Sequence, residues 1–107
     1  MSIYAYNRYD QGPAVLYCSM KGCPHCTSTR PHMAQAAAIM GSVVPVYEVD
    51  SDRDADVVQA LGVEGFPTIL FRHANGTYAE YDGPRKGRNI ADWACAHSGG
   101  CGWSHTR

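Results

Sequence analysis

The 107-residue sequence has no apolar run near the roughly 20 residues that a membrane-spanning helix needs. Neither charge is in excess: 9 Lys and Arg stand against 10 Asp and Glu, a net charge of −1. Without a basic surplus there is no electrostatic basis for binding nucleic acid or an anionic membrane, and neither is expected as a partner. The one basic cluster, Arg85, Lys86 and Arg88, is short and reads as a solvated loop. The opening residues include Tyr4, Tyr6, Asn7, Arg8 and Tyr9 and lack the apolar core of a secretion signal. A cytoplasmic chain is therefore expected, unless a signal has been removed. There is no internal repeat, no low-complexity segment before the tail, and no second C-x-x-C motif to complete a four-ligand zinc site.

What is present is an ordinary globular mixture, 45% hydrophobic and 18% charged, long enough for one domain only. Residues 1–97 are read as that domain and 98–107 as a flexible Gly-rich tail with Gly99, Gly100 and Gly102. Strand and helix signals alternate. Ile3 to Tyr6 suggests a short first strand, and Ala14 to Ser19, after Gly12-Pro13, a buried one. Pro24 to Met40 reads as a helix with proline in its first turn and Gly41 after its end. Val43 to Val49 is β-branched and reads as a strand. A helix from Asp52 or Arg53 to Leu61 follows, with Val57, Val58 and Leu61 on one face. Thr68 to Arg72 and Thr77 to Tyr81 form a hairpin around Asn75-Gly76, and Lys86 to His97 is a closing helix. The expected class is α/β: a mixed four- to five-stranded sheet flanked by helices, its amino-terminal helix short or missing.

Five cysteines is an odd number, and only Cys23 and Cys26 have motif spacing. Cys23-Pro24-His25-Cys26 lies where a buried strand gives way to a helix. The free amides and positive dipole of a helix start favour a thiolate at Cys23, and the thiolate is the attacking form. Cys26, one turn on, is close enough to close a ring with it. His25, when protonated, adds positive charge beside Cys23. Cys18, inside a strand, reads as a buried small apolar residue. Cys95, His97, Cys101 and His105 carry zinc-type side chains, but their spacing matches no standard site. Free tail thiols are the leading expectation, with a Cys95–Cys101 disulfide and a zinc site as alternatives. No metal or cofactor is expected beyond the Cys23–Cys26 disulfide itself.

From Val15 to Trp93 the sequence resembles the thioredoxin superfamily, and within it a catalytic domain of protein disulfide isomerase. Pro31, eight residues after Cys23, matches the proline inside the family's active-site helix. Val49-Asp50 and Leu61-Gly62-Val63 match the stretch before the family's proline loop, and Gly65-Phe66-Pro67-Thr68 matches that loop. Tyr81-Asp82-Gly83-Pro84-Arg85 is similar to a stretch of isomerase domains. The resemblance implies a thioredoxin fold and a cis peptide between Phe66 and Pro67, with the Phe66 backbone available to an extended substrate. It also implies that Arg85 approaches the second cysteine. Because a protonated His25 would lower the pKa of Cys23 and so stabilise the reduced form, the pair is placed toward the oxidising half of the range between about −270 and about −120 mV.

Three positions depart from the family pattern. Gly22 stands where thioredoxins place tryptophan, and Tyr17 stands six residues before Cys23, where the family places a buried acid. Glu48 occupies a position where isomerase domains carry lysine. The expectation is that the acid has moved across the sheet, with Glu48 handling the proton and Tyr17 as its hydrogen-bond partner. The leading function is thiol–disulfide oxidoreduction on protein or peptide disulfides by a monomer, with Cys23 attacking and Cys26 resolving. The alternatives are glutaredoxin-like reduction of glutathione mixed disulfides, with glutathione as partner, and a redox-silent peptide-binding module.

Overall fold

The computed structural model describes residues 3–101. The elements run β1 (Ile3–Ala5), β2 (Ala14–Ser19), α1 (Pro24–Met40), β3 (Val46–Asp50), α2 (Ala55–Leu61), β4 (Thr68–Arg72), β5 (Tyr78–Glu80) and α3 (Gly87–His97). They form one five-stranded sheet in the order β1-β3-β2-β4-β5. Strands β1, β3 and β2 are parallel, and β4 and β5 are antiparallel, which is the mixed sheet expected. No helix precedes β2 among the described residues.

Strand β2 is central and all six of its residues are buried. Its side chains alternate between faces. Val15 and Tyr17 join a core with Met33, Phe71, Ile90 and Ala94, beneath α1 and α3. Leu16 and Cys18 join a second core with Val49 and Leu70, against which Val57, Val58 and Leu61 of α2 pack. Each large apolar side chain fully buried contributes about 1.5–3 kcal/mol, so the all-buried β2 anchors the domain.

Five elements shift at a boundary from the sequence expectation, α3 by starting at Gly87 and not Lys86. β3 begins at Val46, not Val43, because Pro45 has no N–H for the ladder; its carbonyl still accepts from Val15 N at 3.0 Å. α2 begins at Ala55 because the Asp50 carboxylate draws the Asp52 and Arg53 amides into a turn, at 2.8 and 3.1 Å. β5 loses one residue at each end, and β1 ends at Ala5, although Tyr6 N still donates to the Glu48 carbonyl at 3.0 Å.

The expectation of free tail thiols is overturned. Cys95 and Cys101 are joined as a disulfide with Cα atoms 5.2 Å apart. Gly99 and Gly100, at φ of 95° and 105°, turn the chain back, and Gly100 N donates to the Cys95 carbonyl at 2.7 Å. Residues 98–101 are thus tied to α3, while 102–107, and with them His105, lie outside the described residues. The zinc alternative also loses its geometry. Two residues apart on a helix, Cys95 and His97 point to different sides: Cys95 is buried in the core and His97 is exposed.

Candidate active site

Chain direction builds this site. Buried β2 ends at Ser19, an exposed turn of Met20, Lys21 and Gly22 follows, and α1 begins immediately. Gly22 has φ 79°, a conformation that L side chains rarely adopt, so the turn excludes a tryptophan there on backbone grounds. Cys23 is the N-cap of α1, and its Sγ accepts the Cys26 amide hydrogen at 3.1 Å. Pro24 fills the first helical position, where a missing N–H leaves no bond unmade. The helix start therefore presents a hydrogen-bond donor and a positive dipole end to the Cys23 sulfur.

Cys23 and Cys26 are joined as a disulfide, with Cα atoms 5.2 Å apart. Both are largely buried, at 7% and 4% exposure, so substrate must come to the edge of the sulfur pair. His25 is exposed between them. Cys23 Sγ lies 3.8 Å from the Phe66 carbonyl oxygen, and the Phe66–Pro67 peptide is cis. The proline loop, 43 residues away in sequence, thus abuts the cysteine pair. Pro31 lies within α1, where it removes the amide that the Thr27 carbonyl would otherwise receive.

Beneath the pair, the polar arrangement differs from expectation. Tyr17 is fully buried, and its hydroxyl donates to the Cys26 carbonyl at 2.5 Å rather than to Glu48. The cause is direction: Tyr17 rises from β2 directly under the first turn of α1. Burial, helped by the negative charge of Glu48, raises the Tyr17 hydroxyl above its ordinary value, while Arg30 opposes the shift. The phenol therefore stays protonated and remains a donor.

Glu48 sits opposite Tyr17 in the β2–β3 register, its side chain 18% exposed. Its carboxylate accepts from Ser19 Oγ at 2.6 Å and pairs with the Arg30 guanidinium. Arg30 also lies 5.7 Å from the centre of the Tyr17 ring, within cation–π range. A cleft of about 230 Å³ is lined by Tyr17, Ser19, Cys26, Arg30, Glu48 and Asp50. Glu48 and the second cysteine thus share one solvent-reaching space.

Arg85 is not in that cleft. It is exposed and lines a separate cleft of about 390 Å³ with Glu64, Phe66, Pro67 and Glu80. The guanidinium that lines the cleft with Cys26 is that of Arg30, which the sequence reading missed together with Ser19. Both carried a signal. Arg30 is four residues after Cys26 and so lies on the same helix face, and Ser19 is two residues after Tyr17 on the same strand face.

Cys18 is the free cysteine among the described residues, and it is buried. Burial first, and the nearby negative charge of Glu80 second, push its thiol up to about 12. It is a core residue.

This fold and this cysteine pair define a thioredoxin-type domain, and the sequence agrees. The thioredoxin family model matches residues 6–96, and the chain belongs to that family. Among curated proteins, protein disulfide-isomerase A2 of Pongo abelii is 37% identical over 76 residues, covering 66% of this chain and 14% of that protein. Protein disulfide-isomerase A6 of Mesocricetus auratus is 40% identical over 73 residues, covering 67% and 17%. The chain therefore matches a small part of each relative's length. Among solved structures, the J-Trx1 fragment of ERdj5 superposes with a TM-score of 0.81 at 18% identity, covering 89% of this chain and 51% of that one. A malarial protein superposes with a TM-score of 0.69 at 24% identity, covering 80% and 97%. At these identities the structural matches show the fold.

Proposed function

We propose that this chain is a thiol–disulfide oxidoreductase acting on protein disulfides. The observation that carries the reading is the Cys26 amide directed at Cys23 Sγ across the first turn of α1. In the reducing direction, the Cys23 thiolate attacks a substrate sulfur, forming a mixed disulfide and releasing one substrate thiolate. Cys26 then loses its proton and attacks Cys23 Sγ, which releases the second thiolate and closes the Cys23–Cys26 disulfide. Two electrons pass from the pair to the substrate, and the reverse sequence oxidises a dithiol. The Phe66 carbonyl beside Cys23, with Pro67, holds the extended substrate.

Glu48 takes the proton of Cys26 in this reading, through the cleft both residues line, and Arg30 and Ser19 hold its carboxylate in place. His25 contributes positive charge when protonated, and Arg85 serves the proline-loop side instead of Cys26. A second closed disulfide in so small a chain favours an oxidising compartment over the cytoplasm.

The test is turnover of insulin disulfides against turnover of a glutathione mixed disulfide, together with the potential of the Cys23–Cys26 couple in a glutathione buffer. Faster insulin turnover and a potential above that of glutathione are expected. Preference for the glutathione substrate makes the chain glutaredoxin-like. Peptide binding that persists unchanged in Cys23→Ser, with no turnover by the parent chain, makes it a binding module.

A further inference from the structure

At the far end of β4 from the cysteine pair, two histidines meet. His73 follows the last residue of β4 and His97 ends α3, and His73 Nε2 lies 3.0 Å from His97 Nδ1. The other ring nitrogen of His73, Nδ1, lies 3.0 Å from the Thr77 carbonyl oxygen. A carbonyl only accepts, so Nδ1 carries the proton, and Nε2 of the neutral ring accepts the His97 Nδ1 hydrogen, the proton that a bound ion would replace. This is the second-shell arrangement that fixes the tautomer of metal-binding histidines.

We propose that His73 and His97 form a two-histidine chelate for a divalent transition metal ion, with water completing its coordination. The spacing suits the chemistry. Metal–nitrogen bonds of about 2.0–2.1 Å place adjacent nitrogens about 2.8–3.0 Å apart in a square-planar ion and about 3.3–3.4 Å apart in a tetrahedral one. The observed 3.0 Å matches the square-planar spacing. Both rings are held before any ion arrives. His97 packs edge-on to Trp93 with ring centres 5.1 Å apart, His73 packs edge-on to Phe71 at 5.0 Å, and the Cys95–Cys101 disulfide ties down the end of α3. His97 also lies in the last turn of its helix, where the negative dipole end favours a cation. No third His, Cys, Asp or Glu joins the pair among the described residues, so the ion keeps open positions. Imidazole donors with open tetragonal positions rank Cu²⁺ above Ni²⁺ and leave Ca²⁺ unbound.

The experiment titrates the oxidised full chain, its thiols locked in disulfides apart from buried Cys18, with Cu²⁺, Ni²⁺ and Ca²⁺ by calorimetry. One saturable site is expected for Cu²⁺ and a weaker one for Ni²⁺, with no heat from Ca²⁺. His73→Gln and His97→Gln should each remove the site. Nuclear magnetic resonance of the parent chain needs no variant: Cu²⁺ should broaden the His73 and His97 ring signals first. Absence of a saturable site, binding that survives both substitutions, or broadening centred on His25, His32 or His105 overturns the proposal.

Discussion

Tyr17 donates its hydroxyl hydrogen to the carbonyl of Cys26 at 2.5 Å, joining the central strand to the first turn of the active-site helix. The bond is buried, and Tyr17 holds the sequence position at which the resemblance implies a buried acid. The chain thus has a neutral donor under its second cysteine and an acid one strand away. Tyr17→Phe leaves the shape of the core intact and removes only the donor. Stability should fall by about 1 kcal/mol in denaturant unfolding, the usual net value of one hydrogen bond. Resolution by Cys26 should slow only if the helix turn shifts. A loss of stability below measurement would show that the bond does not hold the turn.

Glu48→Gln should slow release of mixed disulfides near neutral pH while leaving formation of the first mixed disulfide unchanged, because only Cys26 needs its proton removed after Cys23 has attacked. Arg30→Met should alter the same step and spare the first. Stopped-flow measurement of the two phases separates them. Equal slowing of both phases would place Glu48 outside the proton path.

Cys23→Ser should abolish turnover, and Cys26→Ser should accumulate mixed disulfides that survive until an external thiol is added. Non-reducing electrophoresis reads both outcomes. Trapping by the Cys23 variant instead would reverse the assigned roles.

In the reduced chain, Cys18 should resist alkylation. A thiol pushed up to about 12 is ionised to roughly one part in ten thousand at pH 8, and burial blocks the reagent as well. Mass spectrometry after a short iodoacetamide pulse should find Cys23 labelled first and Cys18 unlabelled until the chain is denatured.

Cys101→Ser opens a loop of six residues' separation. The loss of that closure should lower stability by about 2 kcal/mol, read by urea unfolding, without moving the potential of the Cys23–Cys26 couple. A shift in that potential would mean that the two disulfides communicate.

Acid stability should depend on Asp10. The Tyr47 hydroxyl, then the Gly12 amide, and more weakly Arg72, hold its carboxyl below the ordinary 3.8, and burial opposes them. A carboxyl lowered in the folded state contributes stability above its unfolded value and loses it as pH falls through the folded one. Asp10→Asn should flatten that acid limb in a pH series of unfolding curves, and an unchanged slope would discount the network.

Much of this architecture was legible in the chain. The largely apolar run Ala14–Ser19, the Asn75-Gly76 turn and the placement of Cys23 and Pro24 at a helix start are local signals, and each of these elements formed in its expected place in the order. Boundaries moved by one to three residues, at β3 because Pro45 lacks an N–H and at α2 because the Asp50 carboxylate holds a turn. The cysteine pair, the helix that polarises it and the proline loop follow from residue order alone, since neighbours in sequence, or a matched motif, carry them.

Contacts between distant segments were decided only by tertiary structure. Tyr17, Arg30 and Glu48 lie on three different elements, and their partners depended on strand register and on the face α1 turns to the sheet. The same holds for Arg85, which packs by the proline loop, and for Cys101, which finds Cys95 through a glycine turn. Side-chain type declares what a residue can bond to; which of the candidates it meets depends on the packing of elements far apart in the chain.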